Sequence, residues 1–307
     1  VTETDSKWYY CELGIISGVN DFAGSIFDFK RRKFERTEKF TAALIIPTGV
    51  GAELGGHAGD AGALAKAIAV ACDTLIVHPN VVNASDINEL PTNSVYVEGS
   101  TLSRLLMGTI GLQKVKQNRV LAVVDEHEDK FMTEAAINMV SAARPTLGFS
   151  CSEVVRLKNK FSMKSIYTPS GRASGAIDNL ESFFELLNSK KSEFDAVAIS
   201  SVIAIDQSLR KEYYSNKVAN PWGGAEAMLT HAVSLLFNVP SAHSPMLNSR
   251  EILNLEIGIT DPRMAGEIVS ITFFYSVLKG LHQSPKIITD ETTINNLKKE
   301  KLCFILH

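Results

Sequence analysis

Phe40–Gly49, FTAALIIPTG, is apolar at successive positions rather than at alternate ones, and it ends in proline and glycine. A strand with one wet face alternates apolar and polar residues. A strand with no wet face does not, and such strands occur where helices cover both sides of a parallel sheet. A second such run is 73–79 (DTLIVHP), and further strands are expected at 94–99 (SVYVEG), 119–126 (RVLAVVDE), 153–157 (EVVRL), 195–205 (DAVAISSVIAI) and 255–260 (LEIGIT). Between them the periodicity predicts helices over 60–72, 128–143, 175–190, 223–237 and 263–280. This alternation predicts an α/β fold with mainly parallel sheet and helices on both faces, in which ligands sit at the carboxyl ends of strands.

Sliding the chain by 165 positions pairs Gly59 with Gly224, Leu64 with Leu229, Ala67 with Ala232, His78 with His243 and Asn83 with Asn248. A slide of 154 pairs Phe40, Ala42 and Ile45 with Phe194, Ala196 and Ile199. Two readings stand. Either two Rossmann-like pseudo-repeats face each other across a cleft, or the matches reflect a composition rich in Ala and Leu and the two histidines never meet. The corresponding division is an N-terminal strand pair over 1–39, a first α/β lobe over 40–160, a second over 161–286 and a C-terminal segment over 287–307. Pro240 sits where the second copy's strand would lie and demotes that strand to an edge or a loop.

Composition narrows the function. Of 307 residues, 31 are Lys or Arg and 34 are Asp or Glu, so no overall positive field is available for nucleic acid. The basic stretch KRRKFERTEK, Lys30–Lys39, is interleaved with Glu35 and Glu38 and reads as a solvated segment. The four cysteines, at 11, 72, 151 and 303, form no CxxC pair, which fits a reducing compartment, and no run is long enough for a membrane span. The N-terminus lacks a basic start followed by an apolar core, so the expected location is the cytoplasm, although a chain that begins at Val1 leaves room for upstream residues.

Glycine-rich PTGVGAELGGHAGDAG connects a buried strand to a helix, and glycines allow close backbone approach to an anion at a helix start. It lacks the Gly-Lys-Ser/Thr of a phosphate loop, and Leu54 stands where a dinucleotide motif needs its third glycine. A carboxylate or phosphate is therefore the expected ligand, held by Thr48, Gly49, Gly51, Gly55 and Gly56, with Asp60 as a cap or a catalytic group. HPNVVN places His78, Asn80 and Asn83 at a strand end, where the imidazole is either a structural residue or a proton carrier. NPWGGAEAMLTH offers Trp222, Gly223, Gly224 and Glu226 at a helix start, and Arg263 opens another. Asp125, Glu126, His127 and Glu128 in VVDEHED suit metal binding or proton transfer, while two of the charges also suit the start of the next helix; a metal on His78, His243 and a carboxylate is a further alternative, but no HxxxH or HExxH spacing supports it. No cofactor is indicated.

The strings IIPTGVGAELGGHAGDA, CDTLIVHPNVVN, NPWGGAEA and MAGEIVSITFFYSVLKGL, in this order over about 40–286, resemble the DUF3326 family. The resemblance implies no reaction or catalytic roles. From the residues alone, the leading expectation is an enzyme acting on a small anionic metabolite by acid–base chemistry, of lyase, isomerase, racemase or hydrolase type, with His78, His243 and Asp60 moving protons. The alternatives are a non-catalytic small-ligand-binding or sensor protein, and a homo-oligomer subunit whose glycine-rich segments serve packing. Neither nucleic acid nor membrane is an expected partner.

Overall fold

The computed structural model describes residues 2–3, 9–10, 39–46, 61–82, 87–157, 161–169, 173–214, 220–248, 259, 273–297 and 302–306. Residues 1–37 form one compact unit and 38–307 another. In the first, β1 (Thr2–Glu3) and β2 (Tyr9–Tyr10) pair antiparallel.

Two parallel sheets dominate the second unit. The first has the order β14 (Leu302–Leu306), β3 (Thr41–Ile45), β4 (Thr74–Val77), β5 (Ser94–Tyr96), with every neighbour parallel. The second runs β8 (Ser150–Leu157), β7 (Arg119–Asp125), β11 (Ala196–Ala204), β12 (Ser241–Met246), again parallel throughout. Beyond them, β9 (Ser162–Tyr167) pairs with the last residues of β11, and β10 (Ala173–Asp178) folds back antiparallel on β9. A small antiparallel pair joins β6 (Gly111–Gln113) to β13 (Lys286–Ile288). The helices are α1 (Gly62–Ala69), α2 (Gly99–Leu106), α3 (Lys130–Leu147), α4 (Leu180–Ser189), α5 (Gln207–Tyr214), α6 (Gly223–Phe237), α7 (Phe274–His282) and α8 (Glu291–Leu297).

Successive residues of the central strands enter different cores, which is why their sequences do not alternate. Val120, Ala122 and Val124 of β7 and Ala196 and Ala198 of β11 face a core that also takes Ala42 and Leu44 of β3 and Leu75 and Val77 of β4. Leu121, Val123, Val197 and Ile199 face the opposite side, against Phe183 and Leu187 of α4 and Leu229 and Val233 of α6. Ala43 and Ile76 face a third cluster with Leu102 of α2. The first cluster therefore belongs to both sheets, and α7 supplies Phe274, Val277, Leu278 and Leu281 to it. Each such fully enclosed Leu or Ile contributes about 1.5–3 kcal/mol of burial energy. The second sheet takes β7 and β8 from before residue 160 and β9–β12 from after it, so the sheet crosses that point.

One local expectation needs correction. The helix expected over 175–190 is the strand β10 followed by α4, because Asn179 adopts the left-handed conformation at φ 65° and separates them. The C-terminal segment contains α8 and the edge strand β14. Pro240 immediately precedes β12, which borders β11 alone among the described residues, as an edge strand can.

Gly224 explains how α6 reaches β10. A Cβ there would stand 2.4 Å from the Ser174 nitrogen and 2.5 Å from the Ala173 carbonyl carbon, while a Cβ on Gly175 would stand 2.6 Å from Cα of Ala225. Helix and strand thus touch backbone to backbone. A Cβ on Gly223 would meet nothing within 4 Å. Gly224→Ala is expected to lower the unfolding free energy by about 1–3 kcal/mol in urea titration, and Gly223→Ala to change it by less than about 0.5 kcal/mol.

Candidate functional site

The first sheet ends in polar residues along its carboxyl edge. His78 follows the last residue of β4, and its Nε2 accepts a hydrogen bond from the backbone N–H of Ile46 at 3.0 Å. Asn80 Nδ2 donates to the carbonyl of the same residue at 2.9 Å. Together they hold the chain at the point where β3 ends and the glycine-rich stretch begins. His78 is buried, and loss of hydration pulls its pKa down to about 4 against a smaller opposing pull from the charge of Glu98. A neutral ring with a lone pair on Nε2 is what the Ile46 bond requires. His78 therefore acts as an anchor for a strand end.

One strand further, Glu98 follows β5 with its side chain only 1% exposed. Its carboxylate folds back to accept the N–H groups of Ser100 at 2.9 and 3.0 Å and of Thr101 at 3.2 Å, together with the Ser100 hydroxyl. It thus caps α2. The same carboxylate meets Nε2 of His231 on α6 at 2.7 Å. Burial pushes its pKa up, but His231 and Ser100 outweigh burial and hold it below its ordinary value. A buried ionised carboxylate is thus fixed from two sides, while the His231 ring is 42% exposed.

A second carboxylate–imidazole pair lies at the start of α6. Glu226 Oε1 is 2.9 Å from His243 Nδ1, and His243 Nε2 is 2.8 Å from the Ser201 hydroxyl. Ser201 also approaches the Met163 sulfur at 3.4 Å. Ser201 comes from β11 and His243 from the neighbouring β12, where Ile199 is opposite His243 and Ser201 opposite Pro245. Nδ1 of His243 faces a carboxylate oxygen, an acceptor, and so carries the hydrogen, which leaves Nε2 to receive the Ser201 hydroxyl. The His243 side chain is fully enclosed and that of Glu226 is 23% exposed, so the line runs from the interior towards solvent.

Tyr96 is the last residue of β5. Its buried hydroxyl has its pKa raised by loss of hydration first and then by the charges of both Glu98 and Glu226. His78, Glu98 and Tyr96 thus stand at the carboxyl end of the first sheet, and Glu226, His231 and His243 on α6 and β12. Sequence reasoning named three of these and missed Glu98, Tyr96 and His231. The order Glu-Gly-Ser-Thr after a strand run was the available signal for Glu98, since an acceptor before a helix start satisfies its N–H groups.

Other expected residues have different roles. Asn220 Oδ1 accepts the N–H groups of Trp222 at 2.9 Å and Gly223 at 3.3 Å, so these two are already bonded rather than presented to an anion. Trp222 packs edge-on against Tyr213 at 5.6 Å, with the Arg210 guanidinium 5.7 Å from its ring centre. Gly224 serves packing on β10. His127 Nδ1 accepts the Asp129 N–H and its Nε2 meets the Leu247 carbonyl at 2.9 Å, a link between loop ends. Thr48, Gly49, Gly51, Gly55, Gly56, Asp60, Asn83 and Arg263 lie outside the described residues. Among the described residues no group of three or more His, Cys, Asp or Glu side chains is arranged to hold a metal, and no helix is long and apolar enough to cross a membrane.

The profile of a family described as "Protein of unknown function (DUF3326)" matches residues 41–305, and the chain belongs to that family. It is 34% identical over 249 residues to a protein named as an uncharacterized lipoprotein of Synechococcus sp. strain PCC 6301, a match that covers 80% of this chain and 68% of the relative. No solved structure matches.

The His78 anchor has a pH signature. The unfolded chain takes up this proton near pH 6.5 and the folded chain only near 4, so the contribution of His78 is fully present above 6.5 and is lost as pH falls towards 4. Between pH 7.5 and 4.5 the wild type is expected to lose about 2–3 kcal/mol through this residue. His78→Gln, which keeps an acceptor but does not titrate, is expected to show a correspondingly flatter profile in urea titrations. Equal slopes for the two proteins would contradict the assignment.

Proposed function

Since membership in that family assigns no reaction, we propose from the site's own chemistry that the protein is an enzyme that moves a proton on a small anionic metabolite. Glu226 is the group that takes the proton, and His243 is the positioning residue behind it. The observation that carries this reading is the hydroxyl–imidazole–carboxylate line Ser201–His243–Glu226, bonded at 2.8 and 2.9 Å. A carboxylate fixed at one oxygen by an enclosed imidazole, on a side chain that is 23% exposed, has the arrangement of a general base. The enclosed imidazole and serine set its orientation without competing for substrate. Perturbed titratable groups gathered at strand ends are the usual surroundings of such chemistry.

The anionic part of the substrate belongs, in this proposal, to the glycine-rich stretch after Ile46 and to Arg263, as the sequence suggests. The described residues support that placement through the bonds from His78 and Asn80 to Ile46, one strand from Glu98. The units β3–α1–β4 and β11–α6–β12, each closing on a parallel neighbour, support reading the chain as a pseudo-repeat with the site between its halves. Within them His78 follows its strand while His243 lies inside its own, so the two histidines carry different duties. A non-catalytic ligand-binding protein is the second reading, favoured by the complete enclosure of Ser201 and the His243 side chain.

The test is deuterium exchange. Short α-hydroxy, α-amino and dicarboxylic acids are incubated with the protein in D2O, and loss of the Cα–H signal is followed by proton NMR, with binding measured in parallel by calorimetry. Wild type is expected to exchange at least one acid, with Glu226→Gln slower by about 10²–10⁴-fold and His243→Gln slowed less, while both variants still bind. Binding without exchange by wild type would favour the second reading.

A further inference from the structure

We infer that Arg210, whose guanidinium lies over the Trp222 ring, grips an acid group of the ligand at the start of α6, and that this ligand is a dicarboxylic acid. The ligand class rests on the acid–base reading of Glu226, which assigns one acid group of the substrate elsewhere. The grip itself rests on Arg210 and Trp222 alone.

Arg210 lies in the middle of α5, and its Cζ is 5.7 Å from the centre of the Trp222 ring. Tyr213, on the same helix and fully buried, meets that ring edge-on at 5.6 Å. The indole is fixed by this packing, and it orients the guanidinium above it. Arg210 nevertheless lacks an acceptor. Its Nε is buried and has no hydrogen-bond partner, and among the described residues neither Asp206 nor Glu212, its acidic neighbours along the chain, forms an ion pair with it. A donor shut away from water without a partner is costly and rare. The residue as a whole is half-buried, so its donors stand at the margin between core and solvent, within reach of a small anion. A carboxylate is the natural occupant, because its two oxygens match the guanidinium fork with parallel bonds.

The position of Trp222 ties this grip to the base. Its carbonyl accepts the N–H of Glu226 at 3.1 Å, so the two residues stand one turn apart on α6. That spacing places them about 40° apart round the axis, with Cβ atoms about 5–6 Å apart. Trp222 packs in the same cluster as Leu229 and Val233, which continue the stripe along the helix. The positive charge of Arg210 also offsets the repulsion that an anionic ligand meets from Glu226. With one acid group held away from α6, as proposed above, and a second held over Trp222, the ligand has two.

The experiment is calorimetry on the full chain with succinate and malate, compared with butyrate and 3-hydroxybutyrate, which have the same chain length and a single acid group. Wild type is expected to bind the diacids about 10–100-fold more tightly than the monoacids, and Arg210→Gln to bind both sets alike. Arg210→Lys, which keeps the charge but loses the fork, is expected to fall between them. A urea titration confirms the fold of each variant. The chain has two tryptophans, Trp8 and Trp222, so in Trp8→Phe the indole emission reports Trp222 alone. Succinate is expected to change that emission, and to leave it unchanged once Arg210→Gln is added. Equal diacid affinity in wild type and folded Arg210→Gln, or no binding of either diacid by wild type, overturns the assignment. Diacid binding that depends on Arg210, without deuterium exchange by wild type, leaves the grip standing and removes the acid–base reading of Glu226.

Discussion

A carboxylate that stays ionised with almost no water around it must receive its solvation from the protein, and Glu98 is in that position. An uncompensated buried charge costs several kcal/mol, so the groups that answer it cannot drift. Two backbone N–H groups and a hydroxyl answer from α2, which is why that helix starts where it does. His231 answers from α6 and joins the two helices. Further along the same contact, Arg104 of α2 donates to Asn238 at the end of α6 at 2.7 Å. The position of α6 in turn places Glu226 over His243. One desolvated acid thus links helix start, helix packing and the chemistry of a pair of residues it does not touch.

The two parallel sheets explain where polar side chains can exist at all. Their central strands are apolar towards both sides, and one core lies between them, filled by small residues of α1 and the larger ones of α7. Among the buried polar groups, His78 and Glu98 stand beyond the last residues of β4 and β5, and Ser200, Ser201, His243 and Ser244 on β11 and β12. Ser200 and Ser244 are opposite each other in the ladder and line a small recess with Met132, Met246 and Phe274, on the core side of the sheet. Ser201 and His243 share the other side with α6.

The sequence was legible where a single strand or helix decides the outcome. Runs without alternation announced β3, β4, β7 and β11, and the bounds of α6 were read correctly because Asn-Pro precedes its start and Asn238 ends it in the left-handed conformation. Pairings between distant segments were not legible. Nothing near Glu98 indicates that a histidine 133 positions later will reach it, and nothing near Ser201 indicates His243 on the adjacent strand. Gly224 was visible as a glycine, but whether it approaches a ligand or a strand depends on β10, which reads locally as the beginning of a helix. His78 shows the same limit. Its place at a strand end was evident, whereas its bond to Ile46 depends on which strand lies alongside.

Parallel pairing places Thr41 of β3 opposite Leu302 of β14, 261 positions later. At about 5–20 residues per second, a ribosome needs roughly 13–50 seconds to make the intervening chain. Throughout that interval one side of β3 offers unsatisfied amides to any extended peptide that passes. Cellular factors that shelter nascent polypeptides therefore have a defined segment to protect in this protein, and products cut short before Leu302 have a first sheet with an open border.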